Sequence, residues 1–442
     1  MFCAAGAVLA LTAARPVVQP RADSAVPSPS PASTAASSGP CGAIPRDATH
    51  LAEMAKCTSS VPLTAEEAAS KVAPTTLAAA NLDHWAATNA ADSYGGLEAR
   101  STSYVVHIVR SAASAAALTR RVADTTGFTT INAAWSLSRL QSTGDEIAKT
   151  PGPLSLFDVH PDVASNHVIV ISRTAAAAAV DRFRAAWAGV PLSIRFDDVT
   201  TYTRDDRLTD SQPWFGGDRI LLHYTILLGT EVIETCSSGL PIYGPGDYGA
   251  GTRYGTTAGH CGTVTSTICQ GTKCGAAYGT PTRFVDYQYS DGDEASYANN
   301  AYPAAYIEAP GRPADFRLFV GSRDAIVGDG ICADGSLTGQ SCGGRLEDGA
   351  THCITFSNLR TNCGLQVIDS NHSLSQGGDS GGPVYTYDTV GGVTGLLGLG
   401  IIVGERTNTN GHVTVLSPVS TMRKALGFTD VMTNSNYSQT CC

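Results

Sequence analysis

Two short motifs carry residue types capable of covalent chemistry: Thr257-Ala258-Gly259-His260-Cys261 and Gly377-Gly378-Asp379-Ser380-Gly381-Gly382-Pro383. A serine hydroxyl is a poor nucleophile at neutral pH. It needs an imidazole to take its proton and a carboxylate to fix the tautomer of that imidazole. It also needs donors for the oxyanion that forms when it attacks a carbonyl. Glycines around Ser380 allow a tight turn that aims the amides of Gly378 and Ser380 at one point. Taken singly, a histidine beside a cysteine is usually structural, and a glycine-rich Asp-Ser loop is usually a turn. Together, in the order His then Ser with acidic residues between, they point to acyl transfer, with His260 as general base and Ser380 as nucleophile. This chemistry calls for no cofactor and no metal.

The same glycines also fit the G-x-S-x-G elbow of α/β-hydrolases, which needs a helix after the serine and a histidine downstream. Here Gly381-Gly382-Pro383-Val384-Tyr385 leads into a strand and His260 comes first. His412 lies downstream, but no acid loop accompanies it.

A β framework must hold these motifs. After Pro213 helical signals nearly vanish, and short apolar segments alternate with Gly, Asp, Asn and Thr, the pattern of a barrel or sandwich. One helical stretch remains, at 417–426. Ahead of this region, 96–205 interleaves strand-like runs (104–109, 154–159, 167–171, 192–196) with Ala-rich helical runs (111–124, 174–187), which predicts a compact α+β domain. Residues 41–95 read as short helices broken near Pro62 and Pro74, with no visible chemistry. Residues 23–40 form a Pro/Ser/Ala linker, and 1–22 resemble a signal peptide without a basic start. No segment is long and apolar enough for a membrane span.

Further residues carry a family resemblance. Trp214-Phe215-Gly216-Gly217-Asp218-Arg219-Ile220 is similar to the opening of some mature peptidase domains. Cys236-Ser237-Ser238-Gly239, the run from Cys332 through Gly335-Ser336-Leu337-Thr338-Gly339 to Cys342-Gly343, and the closing stretch 413–427 match in turn. Over about 210–430 the chain resembles the streptogrisin and alpha-lytic branch of chymotrypsin-like serine peptidases, and 96–200 more loosely resembles their pro-region. The resemblance implies a mainly β protein: a double β-barrel catalytic domain over 206–430, preceded by a smaller α+β domain and followed by a tail at 431–442. It implies disulfides Cys236–Cys261 and Cys332–Cys342. It implies a triad acid at Asp286, favoured over Asp293 because Asp286-Tyr287-Gln288-Tyr289 resembles one variant of the acid segment. It implies a substrate-binding strand at Gly398, Leu399 and Gly400, and an internal arginine beside Asp379. The expected substrates are polypeptides. The N-terminal domain is expected to serve as an intramolecular chaperone or inhibitor, with strand 192–196 placed to pair with the enzyme and a processing cut between about 200 and 215.

Two departures stand out. The nearest cysteine before the serine loop is Cys363, and the serine usual after it is replaced in Gly398-Leu399-Gly400-Ile401-Ile402. The altered strand leaves room for a second reading, a non-catalytic binding or adhesion protein on a peptidase fold. With no carboxylate at 374–377 or 398–404, the side-chain pocket is expected to take uncharged residues.

Thirteen cysteines, an even set once Cys3 leaves with a signal peptide, indicate a secreted, oxidised protein. Spacing adds Cys41 with Cys57, Cys269 with Cys274, and Cys353 with Cys363, and leaves Cys441 and Cys442 without an obvious mate. A net charge of -10 argues against nucleic acid as a partner.

Overall fold

The computed structural model describes residues 41, 49–100, 103–150, 152–154, 156–172, 176–196, 214–225, 231–244, 252–270, 276–286, 290–299, 301–307, 316–356, 360–408 and 411–437. Two six-stranded barrels follow from the strand pairing beyond Trp214. In the first, Arg219–Thr225, Thr267–Gln270, Ala276–Val285, Glu294–Ala298 and Arg253–Thr257 lie side by side, each antiparallel to the next. The run 231–243 closes the ring. Its first part, Glu231–Ser237, pairs with Arg219–Thr225, and its end, Ile242–Tyr243, pairs with Arg253–Thr257.

The second barrel runs Ile331–Gly335, Gly339–Leu346, Thr361–Ser370, Gly411–Pro418, Val393–Asn408 and Pro383–Val390, then back to Ile331–Gly335. Closure gives every strand of each ring a neighbour on both sides over part of its length. Ile220, Leu222, Ile268 and Tyr297 fill the first barrel. Ile331, Ile368, Val384, Leu399 and Leu416 pack together in the second. The expected double barrel is therefore present, and the helix Val419–Leu426 follows its last strand.

The preceding α+β region has two sheets. Tyr94–Arg100, Ser103–Ile108 and Phe128–Asn132 form one, backed by helices Pro74–Asn89 and Ala115–Ala123. The expected boundary at 95/96 cuts through its first strand. Leu156–Asp162, His167–Ser172 and Leu192–Phe196 form the other, with helices Leu137–Lys149 and Ala177–Ala186.

This second sheet joins the double-barrel region, though not through the expected strand. Cys353 and Ile354 of strand His352–Thr355 pair with Val159 and Asp158. Leu192–Phe196 lies at the far edge, parallel to His167–Ser172. The reason is topological. The helix between the two parallel strands carries the chain across the sheet, which leaves the hairpin strand Leu156–Asp162 open to the barrel.

The segment before Pro74 is also not a separate body. On helix Leu51–Ser60, Leu51, Met54 and Ala55 pack on Phe215, Tyr302, Phe316 and Leu318 of the double barrel. Cys41–Cys57 staples it. The fully buried guanidinium of Arg317 donates to the carbonyls of Thr58 and Val61, the latter at 2.9 Å. Among the described residues no helix is long and apolar enough to cross a membrane.

Candidate active site

His260 sits in the single 3₁₀ turn Gly259–Cys261 that follows strand Arg253–Thr257. Gly259 is required here by close approach: a Cβ would meet the Val285 carbonyl oxygen at 2.2 Å. The turn is tied down on its far side by the disulfide Cys236–Cys261.

Asp293 faces this histidine. One carboxylate oxygen accepts the His260 backbone N–H at 2.8 Å, and the other is hydrogen-bonded to ring Nδ1. Both side chains are almost fully buried. The turn carrying Asp293 is held from the second barrel. Ser290 and Asp291 pair with Asn362 and Cys363, the Gly292 N–H donates to the Cys363 carbonyl at 2.7 Å, and Asn362 Nδ2 donates to the Gly292 carbonyl at 2.9 Å.

The expectation of Asp286 at this position is corrected. Asp286 ends strand Ala276–Val285 on the side toward Arg360, which donates to both its carboxylate and its backbone carbonyl. Burial, then the neighbouring charge of Asp293, pushes the Asp286 carboxyl up, against the pull of His260 and Arg360. Two carboxylates so close to one imidazole take separate partners.

Ser380 is buried beside the same disulfide. Its carbonyl accepts the Ser237 N–H at 2.8 Å, while Thr257 Oγ1, on the strand before His260, donates to the Ser237 carbonyl at 2.9 Å. These bonds lock the serine loop to the histidine turn. Nε2 of His260 is shielded from solvent.

Gly378 and Gly381 hold φ of 105° and 92°, the left-handed region that suits glycine. A Cβ on Gly381 would strike the Ser237 carbonyl at 2.3 Å. Ser237 Oγ donates to the Gly378 carbonyl at 3.0 Å, fixing that peptide plane. Among the described residues the amides of Gly378 and Ser380, expected to receive an oxyanion, have no acceptor.

No arginine among the described residues bonds Asp379. Its carboxylate instead accepts the N–H groups of Leu337 at 2.7 Å, Thr338 at 3.1 Å and Gln376 at 2.7 Å, together with the Thr338 hydroxyl. Leu337 and Thr338 form the turn between strands Ile331–Gly335 and Gly339–Leu346, closed by Cys332–Cys342. Burial pushes this carboxyl up, and the donors only partly offset it. The hairpin thus supplies what an arginine was expected to supply.

Gly398, Leu399 and Gly400 do not form an open substrate strand. Gly398 pairs with Tyr385, and Gly400 pairs with both Val384 and Pro418, so this stretch lies inside the closed barrel with Leu399 in its core. The strand reaches the serine loop further on: the Gly381 N–H donates to the Ile402 carbonyl at 2.6 Å, and the Ile402 N–H to the Gly382 carbonyl at 2.9 Å.

Cys353–Cys363 is bridged as its spacing suggested. Cys269 is also disulfide-bonded, and the expected partner Cys274 lies outside the described residues, as do Cys441 and Cys442. Cys236, His260 and Cys261 cluster closely enough to suggest a metal site, as do Asp145, Cys353 and Cys363, but in both groups the sulfurs are tied up in disulfides.

No family model and no curated protein matches this chain. Similarity to solved structures is confined to about half of it. The Nocardiopsis protease NAPase is 21% identical over 49% of this chain and 98% of its own, with a TM-score of 0.37. Thermobifida fusca protease A is 21% identical over 50% and 98%, with a TM-score of 0.34. A glutamic acid specific serine protease is 20% identical over 50% and 100%, with a TM-score of 0.36. Over about half its length, the chain is similar to solved bacterial serine proteases of the alpha-lytic and chymotrypsin-like kind.

Proposed function

We propose that this protein is a secreted serine endopeptidase acting through Ser380, His260 and Asp293. The observation that carries the reading is the buried Asp293–His260 pair, locked by hydrogen bonds to a glycine turn that presents a serine and two unengaged amides.

In the reaction, His260 Nε2 takes the proton of Ser380 Oγ as the oxygen attacks the scissile carbonyl. Asp293 holds the imidazole by Nδ1, keeps the acceptor at Nε2 and stabilises the imidazolium that forms. The developing oxyanion is received by the amides of Gly378 and Ser380. His260 then protonates the leaving amine. Water, deprotonated by the same histidine, hydrolyses the acyl-enzyme and restores Ser380.

The region before residue 197 is, in this reading, the pro-region. Its sheet adds to the barrel hairpin by strand pairing, a template for β-rich barrels whose long-range contacts form slowly. The disulfides suit an extracellular site.

A fluorophosphonate probe tests the proposal, since it phosphonylates only an activated serine, with fluoride leaving as the Oγ–P bond forms. Labelling of the wild-type chain and loss of both labelling and peptide hydrolysis in Ser380→Ala are expected, with hydrolysis falling on the order of a million-fold. An unlabelled, folded wild-type protein would leave the non-catalytic binding reading standing.

A further inference from the structure

Strand Val393–Asn408 changes character at the serine loop. Up to Ile401 it is paired on one side with Pro383–Val390 and from Gly400 on the other with Gly411–Pro418. Beyond Ile402, past a bulge before Gly404, only the Gly411–Pro418 side continues, as far as Asn408. Among the described residues the other edge of 403–408 carries no strand. That edge starts where Ile402 exchanges its two hydrogen bonds with Gly381 and Gly382, the residues after the nucleophile. A substrate backbone can add to an open edge there and be led past Ser380.

The side chain preceding the cut bond then falls between 403–405 and the segment 374–378. Thr414, opposite Glu405 in register, closes one part of this gap, its hydroxyl bonded to Ser375 Oγ at 2.9 Å. Both are neutral. Directly opposite residues of antiparallel strands share a face, so Glu405 is on the Thr414 side, and its half-buried carboxylate stands near enough to the Gly377 amide, three residues before the nucleophile, to be favoured by it.

We propose that Glu405 is the specificity-determining residue, and that it selects a cationic side chain, lysine or arginine, immediately before the scissile bond. This rests on the peptidase reading above. Among the described residues no cation pairs with Glu405, so the carboxylate stands in a partly desolvated place without a counter-charge. Burial first, and the like charge of Asp379 second, pushes its carboxyl up to about 7. A substrate cation in the gap would supply the missing counter-charge, and an apolar side chain would bury the carboxylate further without pairing it. The expectation of an uncharged pocket came from the apolar run 398–404. The charge stands at the next residue.

The test is a series of peptides identical except for Arg, Lys, Phe, Leu or Glu before the cleavable bond, turned over by the secreted protein. The expected result is kcat/KM for Arg and Lys above Phe and Leu by on the order of 100-fold. Glu405→Gln should collapse the Arg-to-Phe ratio by a similar factor, and Glu405→Lys should move the preference toward Glu. A wild-type preference for Phe or Leu, or a ratio unchanged in Glu405→Gln, overturns the proposal. The wild-type profile decides even if a variant fails to fold. Fluorophosphonate labelling of the wild-type protein separates the two levels: labelled protein without cation preference refutes only the role of Glu405, and unlabelled protein refutes the peptidase reading beneath it.

Discussion

Asp293 grips His260 at two points, accepting its backbone N–H at 2.8 Å through Oδ1 and bonding its ring Nδ1 through Oδ2. This double contact fixes ring orientation and tautomer together. Asp293→Asn keeps the shape but can donate to Nδ1, which favours the wrong tautomer. Its kcat is expected to fall by about 10⁴, with KM little changed. Asp286→Asn removes only the contact to the half-exposed Arg360 side chain and should cost less than about tenfold. Steady-state kinetics of both variants on one peptide decides between the two acids. Equal losses would show that Asp293 has no special role.

Arg317 ties the N-terminal segment to strand Phe316–Ser322, which pairs with Val393–Asn408 of the second barrel. Its guanidinium is fully buried and donates to Thr58 and Val61, and Glu67 accepts the hydroxyl of Tyr387 at 3.1 Å. Deleting residues 41–72 would remove these carbonyls and expose Phe316 and Leu318, a loss on the order of 1.5–3 kcal/mol for each apolar side chain uncovered. The isolated segment 214–442 should therefore refold poorly. Added 41–196 should rescue it, and added 96–196 should rescue it much less. Recovery of hydrolytic activity against time provides the measurement, and equal rescue by the shorter piece would contradict the structure.

Asp348 links strand His352–Thr355 to the sheet of the α+β region. It lies 3.4 Å from His352 Nε2 and 3.8 Å from His160 Nε2, and the two imidazoles stack with centroids 4.1 Å apart. Burial raises its carboxyl, but the facing His352 and then His160 outweigh burial and hold it below the usual aspartate value. A depressed folded-state pKa contributes stability above the unfolded value and loses it as pH falls through the folded one. The Asp348 contribution should therefore persist to about pH 4 and disappear below it. Amide exchange in strand Leu156–Asp162 should accelerate only under that acid. In Asp348→Asn the acceleration should already be present at pH 7.

Glu405 titrates with the opposite sign. Its carboxyl is raised to about 7 in the folded chain from an ordinary 4.5. Between these values the unfolded chain gives up the proton and the folded chain keeps it, so stability declines as pH rises and levels off above 7. Glu405→Gln removes this decline. The variant should show a melting temperature that gains on the wild type from pH 4.5 to 7 and holds a constant lead beyond. An unchanging difference across that window would place the carboxylate in free solvent.

The chemistry-bearing motifs were legible because each is local. His260 with Cys261, and Ser380 among its glycines, declare themselves within a few residues, since tight turns and short disulfide hairpins such as Cys332–Cys342 depend on neighbours along the chain. The β-rich character beyond Pro213 and most strands and helices of the α+β region followed from periodicity for the same reason. What only the tertiary structure decided depends on barrel closure, which joins residues remote in sequence. Asp293 rather than Asp286 meets His260 because Asn362 and Cys363, in the other barrel, hold its turn. Amides of a hairpin turn hold Asp379, and amides carry no sequence signature. Leu156–Asp162 rather than Leu192–Phe196 meets strand His352–Thr355 because a helical crossover chooses the edge. Glu405 reads as an ordinary strand residue until the strand Val393–Asn408 leaves its neighbour at the serine loop and opens an edge beside Gly377.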